Sequence, residues 1–69
     1  MFYFFQRGPD FVRCEISGDD ASGYRIIITE PDGQERVETA ATSDEAHARW
    51  LEIQESLKSQ GWWGPHGRD

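Results

Sequence analysis

The C-terminal tail of the chain concentrates side chains that commonly bind ligands. Residues 61–69 read GWWGPHGRD. Tryptophan and arginine are enriched at binding hot spots, and an indole can stack on a ligand while histidine and arginine hydrogen-bond to an anion. The candidate binding residues are therefore Trp62, Trp63, His66 and Arg68. In the alternative interpretation both indoles complete a thin core. Solvent exposure distinguishes the binding interpretation from the core interpretation, because a ligand-binding indole is partly accessible to solvent in the free protein.

The other chemistry-bearing residues indicate no catalytic or metal site. The chain has one cysteine, Cys14, and two histidines, His47 and His66, without the C-x-x-C or H-x-x-x-H spacing that suits zinc. Cys14 alternates with apolar residues, so we expect an inert core thiol. The glycine motifs of nucleotide-binding proteins and esterases are also absent. We predict a protein without catalytic residues, metal or cofactor.

Length and charge describe one small acidic domain. The 69 residues leave room for a single domain, residues 1–69. Thirteen acidic residues against seven basic ones give a net charge of −6, which argues against nucleic-acid partners and anionic membranes. No apolar run approaches the roughly 18 residues of a membrane helix. A single cysteine cannot form an internal disulfide, so we predict a cytoplasmic location.

Alternating apolar residues and turn signals predict an antiparallel sheet that would position the tail. Four strands are expected, at about residues 2–6, 11–17, 24–30 and 34–39. The triplet Pro31-Asp32-Gly33 has the composition of a tight hairpin between the last two. The fourth strand is charged and weakly apolar, which is typical of a sheet edge. The first strand is also expected to be an edge.

A helix follows the fourth strand. Thr42 and Glu45 form a capping box at its start. One face is apolar, and Gly61 ends the helix with Trp62 folded back on the last turn. The apolar face comprises Ala46, Trp50, Ile53 and Leu57. The predicted fold class is therefore α+β, a four-stranded antiparallel β-meander with one C-terminal helix packed across one face (ββββα) and an irregular Trp-rich tail.

One helix covers one face of a sheet, and the other face is too apolar for a monomer. Phe2 and Phe4 point one way on the first strand and Tyr3 and Phe5 the other, while Ile27 lies opposite its apolar neighbours. Either the tail wraps over this face or a second copy docks on it, sheet to sheet or edge to edge. Because a 60-residue chain buries only about 60% of its unfolded surface, we expect a homodimer.

These features favour a small non-catalytic interaction module that dimerises and presents residues 62–68 to a protein partner or ligand. One alternative is a single-stranded nucleic-acid-binding module that uses aromatic stacking. The element order resembles the repeats of whirly and PUR-type single-strand binders, which implies basic grooves with stacking aromatics; this chain has the aromatics, but its charge is acidic. Another alternative is a small enzyme whose site forms across the dimer interface, with His66 as acid/base and Arg68 as anion clamp.

Overall fold

The chain folds into five antiparallel strands and one helix, seen in a computed structural model that describes residues 1–68 and only the backbone of Arg68. The elements are β1 (Phe2–Arg7), β2 (Asp10–Asp19), β3 (Gly23–Thr29), β4 (Glu35–Ala40), α1 (Ser43–Ser59) and β5 (Trp63–Arg68). The strands form one sheet in the order β4-β3-β2-β1-β5. The predicted α+β class and antiparallel sheet are confirmed. Among residues 1–68, no helix has the length and hydrophobicity needed to cross a bilayer.

The tail is not irregular, and the predicted count of four strands is wrong. β5 pairs antiparallel with β1, so that Tyr3 lies opposite Gly67 and Phe4 opposite His66. The backbone groups that a four-stranded meander would leave unpaired on the outer side of β1 are hydrogen-bonded to the tail instead. β1 is therefore an interior strand, and the two edges of the sheet are β4, as predicted, and β5.

The core lies between the sheet and α1. The sheet contributes alternate residues of the three interior strands, as expected for strands with one covered face. The helix contributes the apolar face predicted from its spacing. The buried cluster consists of Phe5, Val12, Cys14, Ile26, Ile28, Trp50, Ile53, Leu57 and Trp62, with Tyr3 and Ile16 packed against it.

Both ends of α1 are capped at the predicted residues, but the Glu45 carboxylate accepts from the Ala41 N–H at 3.3 Å rather than from the Thr42 N–H of the predicted capping box. At the N-terminus the Thr42 hydroxyl accepts a hydrogen bond from the Glu45 backbone N–H at 3.2 Å. At the C-terminus Gly61 has φ +90°, its N–H donates to the Lys58 carbonyl, and the Trp62 N–H donates to the Leu57 carbonyl. This is the Schellman arrangement, in which the glycine tolerates the left-handed backbone that turns the chain. The helix end therefore sends the chain directly into β5.

An ion pair joins the edge strand β4 to the helix. The Arg49 guanidinium donates two hydrogen bonds to the Glu38 carboxylate, from Nη2 at 2.9 Å and from Nε. These bonds favour the charged carboxylate and hold the pKa of Glu38 below its ordinary value. The bidentate geometry ties the weakly apolar β4 to α1.

Replacing Glu38 with Gln is expected to lower the free energy of unfolding at neutral pH by up to about 1 kcal/mol, the range for a partly exposed pair. Because the folded-state pKa of Glu38 is lowered, its contribution is present above the unfolded-state pKa of about 4.3 and is lost as the pH falls through the folded-state pKa. Urea unfolding of the wild type and of Glu38→Gln, at neutral and at acidic pH, measures the difference in the free energy of unfolding.

Glu52→Gln is the matched control, since Glu52 is 70% exposed and lies 3.6 Å from Arg49 Nη1. It should change stability less than Glu38→Gln. A stability difference for Glu38→Gln that is the same at both pH values would contradict the assigned role.

Candidate binding surface on the open sheet face

The side of the sheet that faces away from α1, here called the open face, carries exposed apolar residues. Strand alternation places there Phe2 and Phe4 of β1, Phe11 of β2, Ile27 of β3 and Val37 of β4. Of these, Phe11 is 49% and Val37 55% exposed. Of the two alternatives for covering this face, the tail does not wrap over it, because β5 lies at the side of the sheet and widens the face instead.

The two adjacent tryptophans lie on opposite sides of the sheet. The Trp62 indole is 6% exposed and belongs to the core cluster, with the Arg7 guanidinium carbon 4.4 Å from its ring centroid. The Trp63 indole is 69% exposed. One indole thus completes the core and the other is available at the surface, so that the surface includes Trp63 and His66 but not the ring of Trp62. The Arg68 side chain lies outside the described residues.

A bulge brings Trp63 and His66 to the same face. Residues three apart on a regular strand point to opposite faces. Here Phe4 pairs with His66 and Gln6 with Trp63, so β5 uses one more residue than β1 over this stretch. Such an extra residue reverses the alternation and redirects the side chains that follow it.

Four rings then form a continuous row across three strands, here called the aromatic patch. Trp63 and His66 ring centroids are 4.5 Å apart, His66 and Phe4 centroids 4.9 Å, and Phe4 and Phe11 centroids 5.9 Å. All three spacings lie within or near the range of attractive aromatic pairs, about 4.5–7 Å. The patch is held by paired strands, so its rings lose little conformational freedom when a ligand binds.

Within the patch, His66 Nε2 is shielded from solvent and has no hydrogen-bond partner among the described residues. A buried polar atom without a partner costs about 1–3 kcal/mol. This nitrogen is the one buried side-chain polar atom of the described residues that lacks a hydrogen-bond partner.

A shallow groove adjoins the patch at the end of the sheet that carries the β1–β2 and β3–β4 turns. Pro9 and Pro31 lie in these turns, and Phe11, Arg13 and Thr29 also line it. Phe11 belongs to both the groove and the patch. Together they form one surface that runs from β5 to the β3–β4 turn.

The charge of the open face differs from that of the whole chain. On β1–β4 its strand positions carry Arg13 and Arg25 against Glu15 and Glu35, so these four strands are balanced, while on β5 the backbone of Arg68 lies opposite Phe2. The other carboxylates of residues 1–68 lie in turns and at strand ends, in α1, or on the helix side of the sheet. The net charge of −6 is therefore not spread evenly over the surface.

The remaining candidate groups are not brought together. Cys14 is fully buried and His47 is exposed on α1, whereas His66 lies on the open face. Burial raises the pKa of the Cys14 thiol to about 12, which keeps it protonated and unreactive at neutral pH. Across residues 1–68 there is no group of three His, Cys, Asp or Glu side chains that could hold a metal ion.

Two residues of the patch, Phe4 and Phe11, were not among the sequence-based candidates. Their signal is present in the sequence, since Phe4 precedes inward-facing Phe5 and Phe11 precedes inward-facing Val12. What the sequence does not show is that β5 lies beside β1. In the sequence alone, the tail and the first two strands lie at opposite ends of the chain, and nothing indicates that they are in contact.

Comparison with known proteins finds no relative, since no protein-family model, curated protein or solved structure matches this chain. The functional inference therefore rests on the ring contacts, the solvent exposure and the charge of the open face.

Gly64→Ala is expected to loosen β5 and to destabilise the protein by about 1–3 kcal/mol. An added Cβ would lie 2.9 Å from the Phe4 carbonyl oxygen and 3.0 Å from Phe5 Cδ2. Gly67→Ala is the control, because its Cβ would meet Tyr3 Cε1 at an ordinary 3.6 Å. Thermal unfolding and amide hydrogen exchange of β5 would compare them, and equal stability of the two variants would contradict the tight packing at Gly64.

The Cys14 thiol is expected to react with a disulfide reagent only after unfolding. Its folded-state pKa of about 12 lies above the unfolded value of about 8.5. The folded state therefore holds the proton more tightly, and this contribution to stability is lost progressively as the pH rises above the unfolded value. Labelling at mildly alkaline pH with and without denaturant tests this; fast labelling of the folded protein would contradict it.

Proposed function

We propose that the protein is a non-catalytic interaction module that binds another protein through the aromatic patch and the adjoining groove. One observation carries the proposal: four rings in consecutive contact lie on an uncovered sheet face, with Trp63 69% exposed at one end and Phe11 49% exposed at the other. Exposed apolar patches of this kind mark interaction sites. The single buried thiol is consistent with a reducing compartment, and the proposal places the protein in the cytoplasm.

The composition of the surface supports a protein partner. The cores of protein interfaces are enriched in aromatic residues and arginine and depleted of other charged residues. Trp63, Phe4 and Phe11 match that composition, and Arg13 lies next to the patch in the groove. The groove between two proline-containing turns has room for side chains of the partner.

A single-stranded nucleic acid is the second candidate partner. The observation that favours it is the row of rings across adjacent strands of an antiparallel sheet, on which bases stack in several RNA-binding modules. The charge of the open face and of the whole chain favours a protein partner over a nucleic acid. Nucleic-acid grooves are strongly basic, whereas β1–β4 carry two arginines and two glutamates on the open face and the chain carries −6.

Peptides selected from a random phage-displayed library on the immobilised protein are expected to need the aromatic patch. Trp63→Ala and Phe11→Ala should each weaken binding of the selected peptides about tenfold or more, as hot-spot truncations do. Titration of the free peptides against each variant measures the change.

Leu51→Ala is the matched control, because Leu51 is also a large apolar residue, 48% exposed, but lies on the helix. It should leave peptide binding unchanged. Peptides that bind the Trp63→Ala and wild-type proteins equally would contradict the proposal. So would quenching of tryptophan fluorescence by oligothymidylate at low salt in the absence of any peptide binding, which would identify nucleic acid as the partner.

A further inference from the structure

We infer that the partner on the open face is a second copy of this chain, packed sheet against sheet about a two-fold axis. The inference rests on the proposed function, since it names the protein that the face binds. The area available, the distribution of charge and the order of charged residues on the central strand support it.

A dimer interface of standard size needs only a small part of the surface of the chain. A stable interface buries about 800 Å² on each partner. The chain exposes 4674 Å² in total, so such an interface needs about a sixth of its surface. The open face is one of the two broad sides of the sheet and spans all five strands. Interfaces of this size range from micromolar to tighter affinity, and we expect a micromolar dissociation constant.

The charge of the open face matches a second copy better than it matches an acidic or a basic partner. On β1–β4, Arg13 and Arg25 are balanced by Glu15 and Glu35. Strands with equal numbers of both signs can complement themselves across a two-fold axis, because each contact occurs twice in opposite senses. A strongly basic partner would instead be drawn to the acidic helix and turns, and a nucleic acid would be repelled by them.

Packing the two sheets together also keeps the acidic parts of the copies apart. Face-to-face sheets lie about 10 Å apart, so the helices on the two outer sides are separated by more than the Debye length of about 8 Å at physiological ionic strength. Contact through the helix side would bring two acidic surfaces together. Edge contact is disfavoured at β4 by its charged residues and at β5 by Pro65, which has no N–H to donate.

The central strand indicates the orientation of the axis. Arg13 and Glu15 are neighbours on the open face of β2, the third of five strands. An axis along the strands would place Arg13 opposite Arg13 and Glu15 opposite Glu15. An axis across the strands, between the two residues, places Arg13 of each copy opposite Glu15 of the other. Opposite charges in contact favour the second orientation.

Charge reversal on the central strand tests this arrangement. Arg13→Glu gives a face with acidic residues at both positions, and Glu15→Arg gives basic residues at both. Each variant alone should dimerise at least about tenfold more weakly than the wild type, because like charges meet twice. An equimolar mixture should regain the wild-type affinity as a one-to-one heterodimer. Sedimentation equilibrium measures the shift between 7.9 kDa and twice that mass.

Lys58→Glu and Glu55→Arg are the matched controls, since they make the same changes in net charge on the exposed side of α1. Both should dimerise like the wild type. Recovery in the mixture also shows that the two variants of β2 are folded, so loss of the dimer cannot be ascribed to misfolding.

A wild-type protein that stays monomeric at about 100 µM, well above a micromolar dissociation constant, would overturn the inference. If peptides still bound through Trp63 in that case, the proposed function would stand and the partner would be another protein. A dimer that is unaffected by Arg13→Glu and Glu15→Arg would also overturn the inference, because contact would then lie away from the open face. If each variant alone dimerises weakly and the two variants also fail to associate when mixed, the axis across the strands is excluded.

Discussion

The Trp62 indole is buried at the point where the helix ends, and the position of the last strand depends on that burial. The Schellman turn at Gly61 directs the chain back toward the sheet, and the Trp62 N–H donates to the Leu57 carbonyl. Arg7 at the end of β1 covers the indole and donates from Nη1 to the Gln60 carbonyl at 2.9 Å. One aromatic side chain thus fixes the helix end, the end of β1 and the start of β5 together.

Because the start of β5 is fixed beside β1, every later feature of the open face follows from strand geometry. Pairing with β1 places His66 against Phe4, and the bulge turns Trp63 to the same side. Burial of Trp62 in the core holds the start of β5 beside β1. Without β5, the strand β1 would be an unpaired aromatic edge. The two adjacent tryptophans therefore have different roles, since Trp62 packs in the core and Trp63 lies on the surface.

The sequence predicts the elements whose side chains repeat regularly. β2, β3, the hairpin and α1 with both caps follow from alternation, turn residues and capping residues. β5 escapes prediction because Gly64, Pro65 and Gly67 supply no alternating side chains and the bulge breaks the period of two. Trp63 and His66 were found by residue type alone, whereas their contact with Phe4 and Phe11 depends on a pairing between the two ends of the chain. Long-range pairing of this kind leaves no local signal.

The distribution of charge changes what net charge implies about binding. Taken over the whole chain, −6 points to a basic partner. Strand alternation, however, sorts charged residues by face, and the positions of β1–β4 on the open side hold equal numbers of arginine and glutamate. A partner docked on that side interacts mainly with the balanced face, because charges on the far side lie beyond the screening length of about 8 Å. In the proposed arrangement, the acidic helix layer disfavours association through the helix side, and the open face determines which partner binds.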